Sequence, residues 1–107
     1  MKTIYKYPLT KGGMVDFKEA DEEIEIPQSD TPHRYLHVGR DPQGQMCVWI
    51  LLEQQSPDEL AGVKRKVRIA IRGTGHACDD VAFWQHIGTV TDGPYVWHVF
   101  GSPTGAP

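Results

Sequence analysis

The residues with the most chemical potential in this chain run together as Arg72-Gly73-Thr74-Gly75-His76-Ala77-Cys78. Two glycines flanking a threonine permit positive φ and let backbone N–H groups converge on one concavity, an arrangement that binds anions. Lys64, Lys66, Arg68 and Arg72 lead into it at even spacing, so an extended strand places them on one face. A guanidinium there grips phosphate or carboxylate through paired donors, and His76 adds a further donor or acceptor. The sharp reading is therefore a site for a small anion or nucleotide built from Arg68, Arg72, Gly73, Thr74, Gly75 and His76. The plain reading is a turn after a strand whose basic side chains are simply solvated.

Other chemistries fit less well. The text has no Gly-x-x-x-x-Gly-Lys-Ser/Thr and no Gly-x-Gly-x-x-Gly, which removes the common phosphate loops. His76, Cys78, His86 and His98 are zinc-ligand types, yet their spacing matches no standard finger. Cys78 with His76 or His98 and Asp79 or Asp80 can be drawn as a nucleophilic triad, but nothing in the sequence brings them together. His98, with apolar neighbours in Tyr95-Val96-Trp97-His98-Val99-Phe100, reads as a hydrogen-bonded core or sheet-face histidine. The expectation is no metal, no cofactor, no catalytic residue and no enzyme activity.

Charge sharpens the choice of partner. Asp16, Glu19, Asp21, Glu22, Glu23, Glu25 and Asp30 form an acidic block with Lys18 as its only base, whereas residues 64–72 hold five bases and no acid. A net charge of −3 excludes strong non-specific nucleic-acid binding but leaves room for a local anion site. Asp21, Glu22, Glu23 and Glu25 are candidates for docking onto a basic, nucleic-acid-binding partner surface as a nucleic-acid mimic. Alternatively, the two blocks lie on adjacent strands and screen each other.

These residues need elements to position them. A chain of 107 residues has room for one core, and 11 glycines with 8 prolines suit short strands and turns. Strands are expected at residues 2–7, 22–26, 33–38, 46–53, 65–71, 86–91 and 95–100. Residues 14–23 are read as a loop with one helical turn, residues 54–62 as a surface connection able to start a short helix, and 79–84 as one turn of helix. In residues 33–38, alternation buries Leu36 and Val38 and turns Tyr35 and His37 away. Asp41-Pro42-Gln43-Gly44 closes a hairpin, as does Asp92-Gly93-Pro94. The run Met46-Cys47-Val48-Trp49-Ile50-Leu51-Leu52 is apolar on both faces and belongs in a central strand covered on each side. The fold class is all-β and mainly antiparallel, a small sandwich or partly open barrel of about seven strands. The domain spans residues 1–100, with 101–107 a flexible tail. No run approaches the ~20 apolar residues of a membrane span, and no signal-peptide h-region opens the chain, so a cytosolic protein is expected.

Several of these stretches resemble a family of short uncharacterised proteins encoded by bacteriophages and prophages. The likeness is carried by Met1-Lys2-Thr3-Ile4-Tyr5-Lys6-Tyr7-Pro8-Leu9, Leu36-His37-Val38, Cys47-Val48-Trp49, Gly73-Thr74-Gly75-His76 and Gly93-Pro94-Tyr95-Val96-Trp97-His98-Val99-Phe100. It runs in order over residues 1–100. Arg72 stands where a tyrosine is common in that family. The resemblance implies an accessory protein made in the host bacterial cytoplasm. It further implies action by binding, either inhibiting a host defence protein, as anti-CRISPR proteins do, or sequestering an anionic nucleotide signal. A virion component and a small enzyme acting on a nucleotide-like substrate are the alternatives, and homo-oligomerisation is left open.

Overall fold

The computed structural model describes residues 1–10, 19–29, 31–54 and 64–103. Seven strands follow in order: β1 (Lys2–Pro8), β2 (Ala20–Pro27), β3 (Arg34–Arg40), β4 (Met46–Glu53), β5 (Lys64–Gly73), β6 (Gln85–Asp92) and β7 (Tyr95–Gly101). They form two sheets, ordered β1-β4-β3 and β2-β5-β7-β6, and every pairing is antiparallel. The architecture is a small β-sandwich, in which β3 of one sheet packs against β6 of the other.

Period-2 alternation explains the core. Ile24 and Ile26 of β2, Val67, Ile69 and Ile71 of β5, and Trp97 and Val99 of β7 meet Tyr35, Val38, Val48, Ile50 and Leu52 of the smaller sheet. Full burial of such a side chain contributes about 1.5–3 kcal/mol. β4 is central as expected, though only its inner face is fully covered, with Trp49 and Leu51 half-buried on the outside.

β3 departs from simple alternation. Its register shifts between Tyr35 and His37, so Tyr35 and Val38 both face the core while Leu36 is 38% exposed. A bulge adds one residue and reverses the phase of everything beyond it. The Tyr35 hydroxyl then donates to the Ser102 carbonyl at 3.0 Å, and its ring lies where a Cβ on Gly101 would be.

Two further boundaries move. Residues 20–23 belong to β2 rather than to a loop, because Asp21, Glu22 and Glu23 pair in register with Ala70, Ile69 and Arg68. The chain end is held past residue 100: Gly101 closes β7, the Ser102 N–H donates to the Arg68 carbonyl, and the Arg68 N–H donates to Ser102 Oγ. The readings for residues 14–18, for 55–62 and for 104–107 lie outside the described residues.

The hairpin at residues 41–45 follows its turn chemistry. The Gly44 N–H donates to the Asp41 carbonyl, and Asp41 Oδ1 accepts from the Gln43 and Gln45 N–H groups at 2.9 Å.

Most consequential for function is the link between β5 and β6. Both strands run antiparallel to β7, which lies between them, so they run parallel to each other and need a crossover. Residues 74–84 supply it as a strap over the outer face of the four-stranded sheet. The strap is a chain of turns, not the helical turn expected at 79–84, with Val81 N–H donating to the Cys78 carbonyl and Trp84 N–H to the Val81 carbonyl.

Candidate functional site

Outward positions of β5 and β7 come together beneath the strap. Arg72 pairs with His98 and Ala70 with Phe100, while across β7 Thr89 of β6 stands opposite His98. Strap residues Thr74, Gly75, His76 and Cys78 close over Arg72, Gly73, His98 and Phe100, leaving a pocket of about 210 Å³. Cover from the strap explains why Ala70 and Arg72, on the solvent face of an ordinary edge-exposed sheet, are both buried.

The Gly73–His76 segment is a tight turn. The His76 N–H donates to the Gly73 carbonyl at 3.1 Å, and Gly75 takes φ +88°, a value that L side chains rarely adopt. The Thr74 N–H donates to the Val96 carbonyl. Two N–H groups of the expected anion nest are thus occupied inside the fold.

The cations are occupied as well. Arg72 is 8% exposed; its Nη1 donates to Asp21 Oδ1 at 2.9 Å and to the Ile71 and Ala20 carbonyls, and its Nη2 donates to Asp80 Oδ2 at 3.0 Å. Burial works against the charge, but the bonds that Arg72 donates to Asp21 and Asp80 outweigh it and raise the pKa above the ordinary arginine value. Arg68 donates to the same Asp21 at 3.1 Å and lies over the Trp84 ring at 5.5 Å. His76 Nδ1 meets Glu19 Oε1 at 2.6 Å. Two guanidinium groups therefore share two carboxylates, Asp21 and Asp80, while Glu19 meets the His76 ring, and an incoming phosphate would have to displace them.

The acidic candidates distribute differently from one another. Asp21 joins strand β2 to Arg68 and Arg72. Glu22 faces inward and is buried, accepting from the Thr10 N–H and hydroxyl at 2.9–3.2 Å, which withdraws it from any docking surface. Glu23 is 3.8 Å from Lys66 with both side chains about three-fifths exposed, and Glu25 stands opposite Lys66 in the register. Mutual screening by adjacent strands, the plain reading of the charge blocks, describes this region.

A polar chain that sequence reading did not single out starts at Thr74 and His98 on the pocket's other wall and runs back behind it. Thr74 Oγ1 is 2.7 Å from His98 Nε2, His98 Nδ1 is 3.0 Å from Thr89 Oγ1, and Thr89 Oγ1 is 3.2 Å from His86 Nε2. His98 is the sheet-face, hydrogen-bonded histidine expected of it. Counting back from the Asp92-Gly93-Pro94 turn pairs residue 89 with 98, so this contact was readable from hairpin register. The Phe100 ring, in edge contact with His86 at 5.3 Å, completes the wall.

The triad drawn around Cys78 does not assemble: His98 bonds to two threonines, His76 to Glu19, and Asp80 to Arg72. Among the described residues no group of three or more His, Cys, Asp or Glu side chains is placed to hold a metal ion. No helix among them is long and apolar enough to cross a membrane.

On the strap's far side, Phe83 and Trp84 border a broader hollow with Lys66, Arg68, Ser102 and Pro103. Phe83 is 74% exposed, the most exposed large apolar side chain described.

Fold and site together define a small two-sheet antiparallel β-sandwich with a strap-covered pocket. Over residues 1–107 the chain matches the family described as "Domain of unknown function (DUF7352)", and it belongs to that family. No curated protein and no solved structure matches it.

Proposed function

We propose that this protein is a non-enzymatic, phage-encoded accessory protein that antagonises a host defence system by stoichiometric binding in the bacterial cytoplasm. In this reading the pocket beneath the strap is its small-molecule site, and the ligand is a nucleotide signal that the protein sequesters. The observation supporting it is the pocket itself: about 210 Å³ between Phe100, His98 and the Gly73–Gly75 backbone, with a wall of paired hydroxyl and imidazole groups. Pockets that join apolar walls to a few fixed polar groups are the usual form of small-ligand sites. The phage context comes from the sequence resemblance.

Native mass spectrometry of the protein recovered from infected cells tests this reading. Retention of a nucleotide-sized mass, lost in a Thr74→Val variant, is the expected result. Recovery of bare protein from cells in which it still protects the phage would remove the sponge.

One observation favours a second mechanism, inhibition of a host defence protein. Glu23 and Glu25 point to solvent from β2, an edge strand, where they can meet a basic surface. Under that mechanism Glu23→Lys with Glu25→Lys abolishes protection and Thr74→Val does not.

A further inference from the structure

We infer that the pocket beneath the strap recognises its ligand through a planar, uncharged heterocycle of the nucleobase type, with any phosphate left outside in water. The inference rests on the reading of that pocket as a ligand site and names what the site selects.

Electrostatics argue against a phosphate in the pocket. Both Arg72 nitrogens that face neighbours are bonded to Asp21 and Asp80, Arg68 shares Asp21, and Glu19 holds His76. A dianion entering here meets carboxylates whose guanidinium partners are already engaged. The Thr74 and His76 N–H groups, which would have cradled it, donate to Val96 and Gly73 carbonyls.

The remaining surface suits a ring. Phe100 and His98 offer flat faces, Gly75 offers backbone with open space where a side chain would stand, and the volume is that of one planar ring system. Recognition of its edge falls to Thr74. Each threonine hydroxyl has one proton and two lone pairs, and a neutral imidazole has one donor and one acceptor nitrogen. If His98 donates from Nε2, the Thr74 proton is released toward a ligand acceptor. If His98 instead accepts at Nε2, the Thr74 lone pairs are released toward a ligand donor. Thr89 and His86 adjust behind it, since Thr89 Oγ1 contacts both rings. The wall can therefore answer either a donor or an acceptor, and a base edge carries both.

Titration calorimetry on the full chain, with the four ribonucleosides, their 5′-monophosphates and inorganic phosphate as probes, tests this. At least one nucleoside should bind, with its monophosphate matching it within about threefold and inorganic phosphate not competing. Thr74→Val, a near-isosteric change in an exposed turn, should weaken both about tenfold. A monophosphate binding more than about tenfold tighter than its nucleoside, or competition by inorganic phosphate, would overturn base recognition while leaving the pocket as a ligand site. Unchanged affinity in Thr74→Val would place the ring elsewhere and overturn it too. Absence of binding by every nucleoside and nucleotide at about 1 mM would overturn both the inference and the ligand-site reading.

Discussion

The β2–β5 edge and the strap-covered pocket lie on the same outer face, separated by Arg72, and their polar groups are arranged on opposite principles. Along the edge, the acids of one strand stand against the bases of the next: Glu23 opposite Arg68, Glu25 opposite Lys66, with Asp21 turned to Arg68 and Arg72. Charge is dense there and mostly answered within the fold. In the pocket the charged Arg72 is already bonded to Asp21 and Asp80, but the hydroxyls and imidazoles are bonded in ways that leave protons or lone pairs for a ligand. Charge density along a sequence is thus a poor guide to binding capacity, because a basic row beside an acidic row is neutralised by register. What stays available is a group whose partner can change roles.

Arg72 joins the two regions, so removing it should produce the largest effect. Arg72→Ala deletes a buried guanidinium that ties β2 and the strap to β5, and urea denaturation should show a loss of about 3 kcal/mol. A loss below about 1 kcal/mol would mean that the strap is held by Val81 and Trp84 instead.

Next comes His33, buried against Tyr35 beneath the charged edge. Burial, and secondarily Arg65, lowers its pKa from 6.5 to about 4. A depressed histidine favours folding above its unfolded pKa, because between the two values the unfolded chain binds more protons. Stability should therefore fall by about 2 kcal/mol as pH drops from 6.5 toward 4. His33→Gln should flatten that part of the pH–stability curve, and an unchanged curve would separate the edge's interior from its pH response.

Smaller effects distinguish the regions more sharply. Thr74→Val should lower stability by about 0.5–1 kcal/mol through one lost hydrogen bond, while changing ligand affinity more than any edge substitution. Glu23→Ala should change stability by less than about 0.5 kcal/mol, since its pair with Lys66 is long and exposed. A larger cost at Glu23 than at Thr74 would reverse the comparison.

How much was legible follows from how local each feature is. β5 was legible because Val67, Ile69 and Ile71 alternate with charged residues, and the 41–45 hairpin because Asp41, Pro42 and Gly44 carry the turn in their own chemistry. The β3 bulge was not, since Leu36 is the more apolar of the pair and only the packing of Tyr35 onto Gly101 and its hydroxyl's bond to Ser102 turn the tyrosine inward. The site was half legible. Its turn and its row of bases are visible in residues 64–76, but the burial of Arg72 depends on a crossover eleven residues long folding back over β5. No local pattern signals that Asp80 will reach Arg72. The inward position of Glu22 follows from its parity with Ile24 and Ile26, but no local pattern signals that Thr10, on a different segment, will bond its carboxylate.

The central claim is that binding capacity lies in the pocket and not along the charged edge. Amide chemical-shift mapping of the full chain, titrated with the nucleoside that binds tightest, tests it most directly. Shifts should concentrate at Thr74, Gly75, His76, His98 and Phe100, with Glu23, Glu25, Lys66 and Arg68 unmoved. Shifts concentrated on those four edge residues, with the pocket silent, would contradict it.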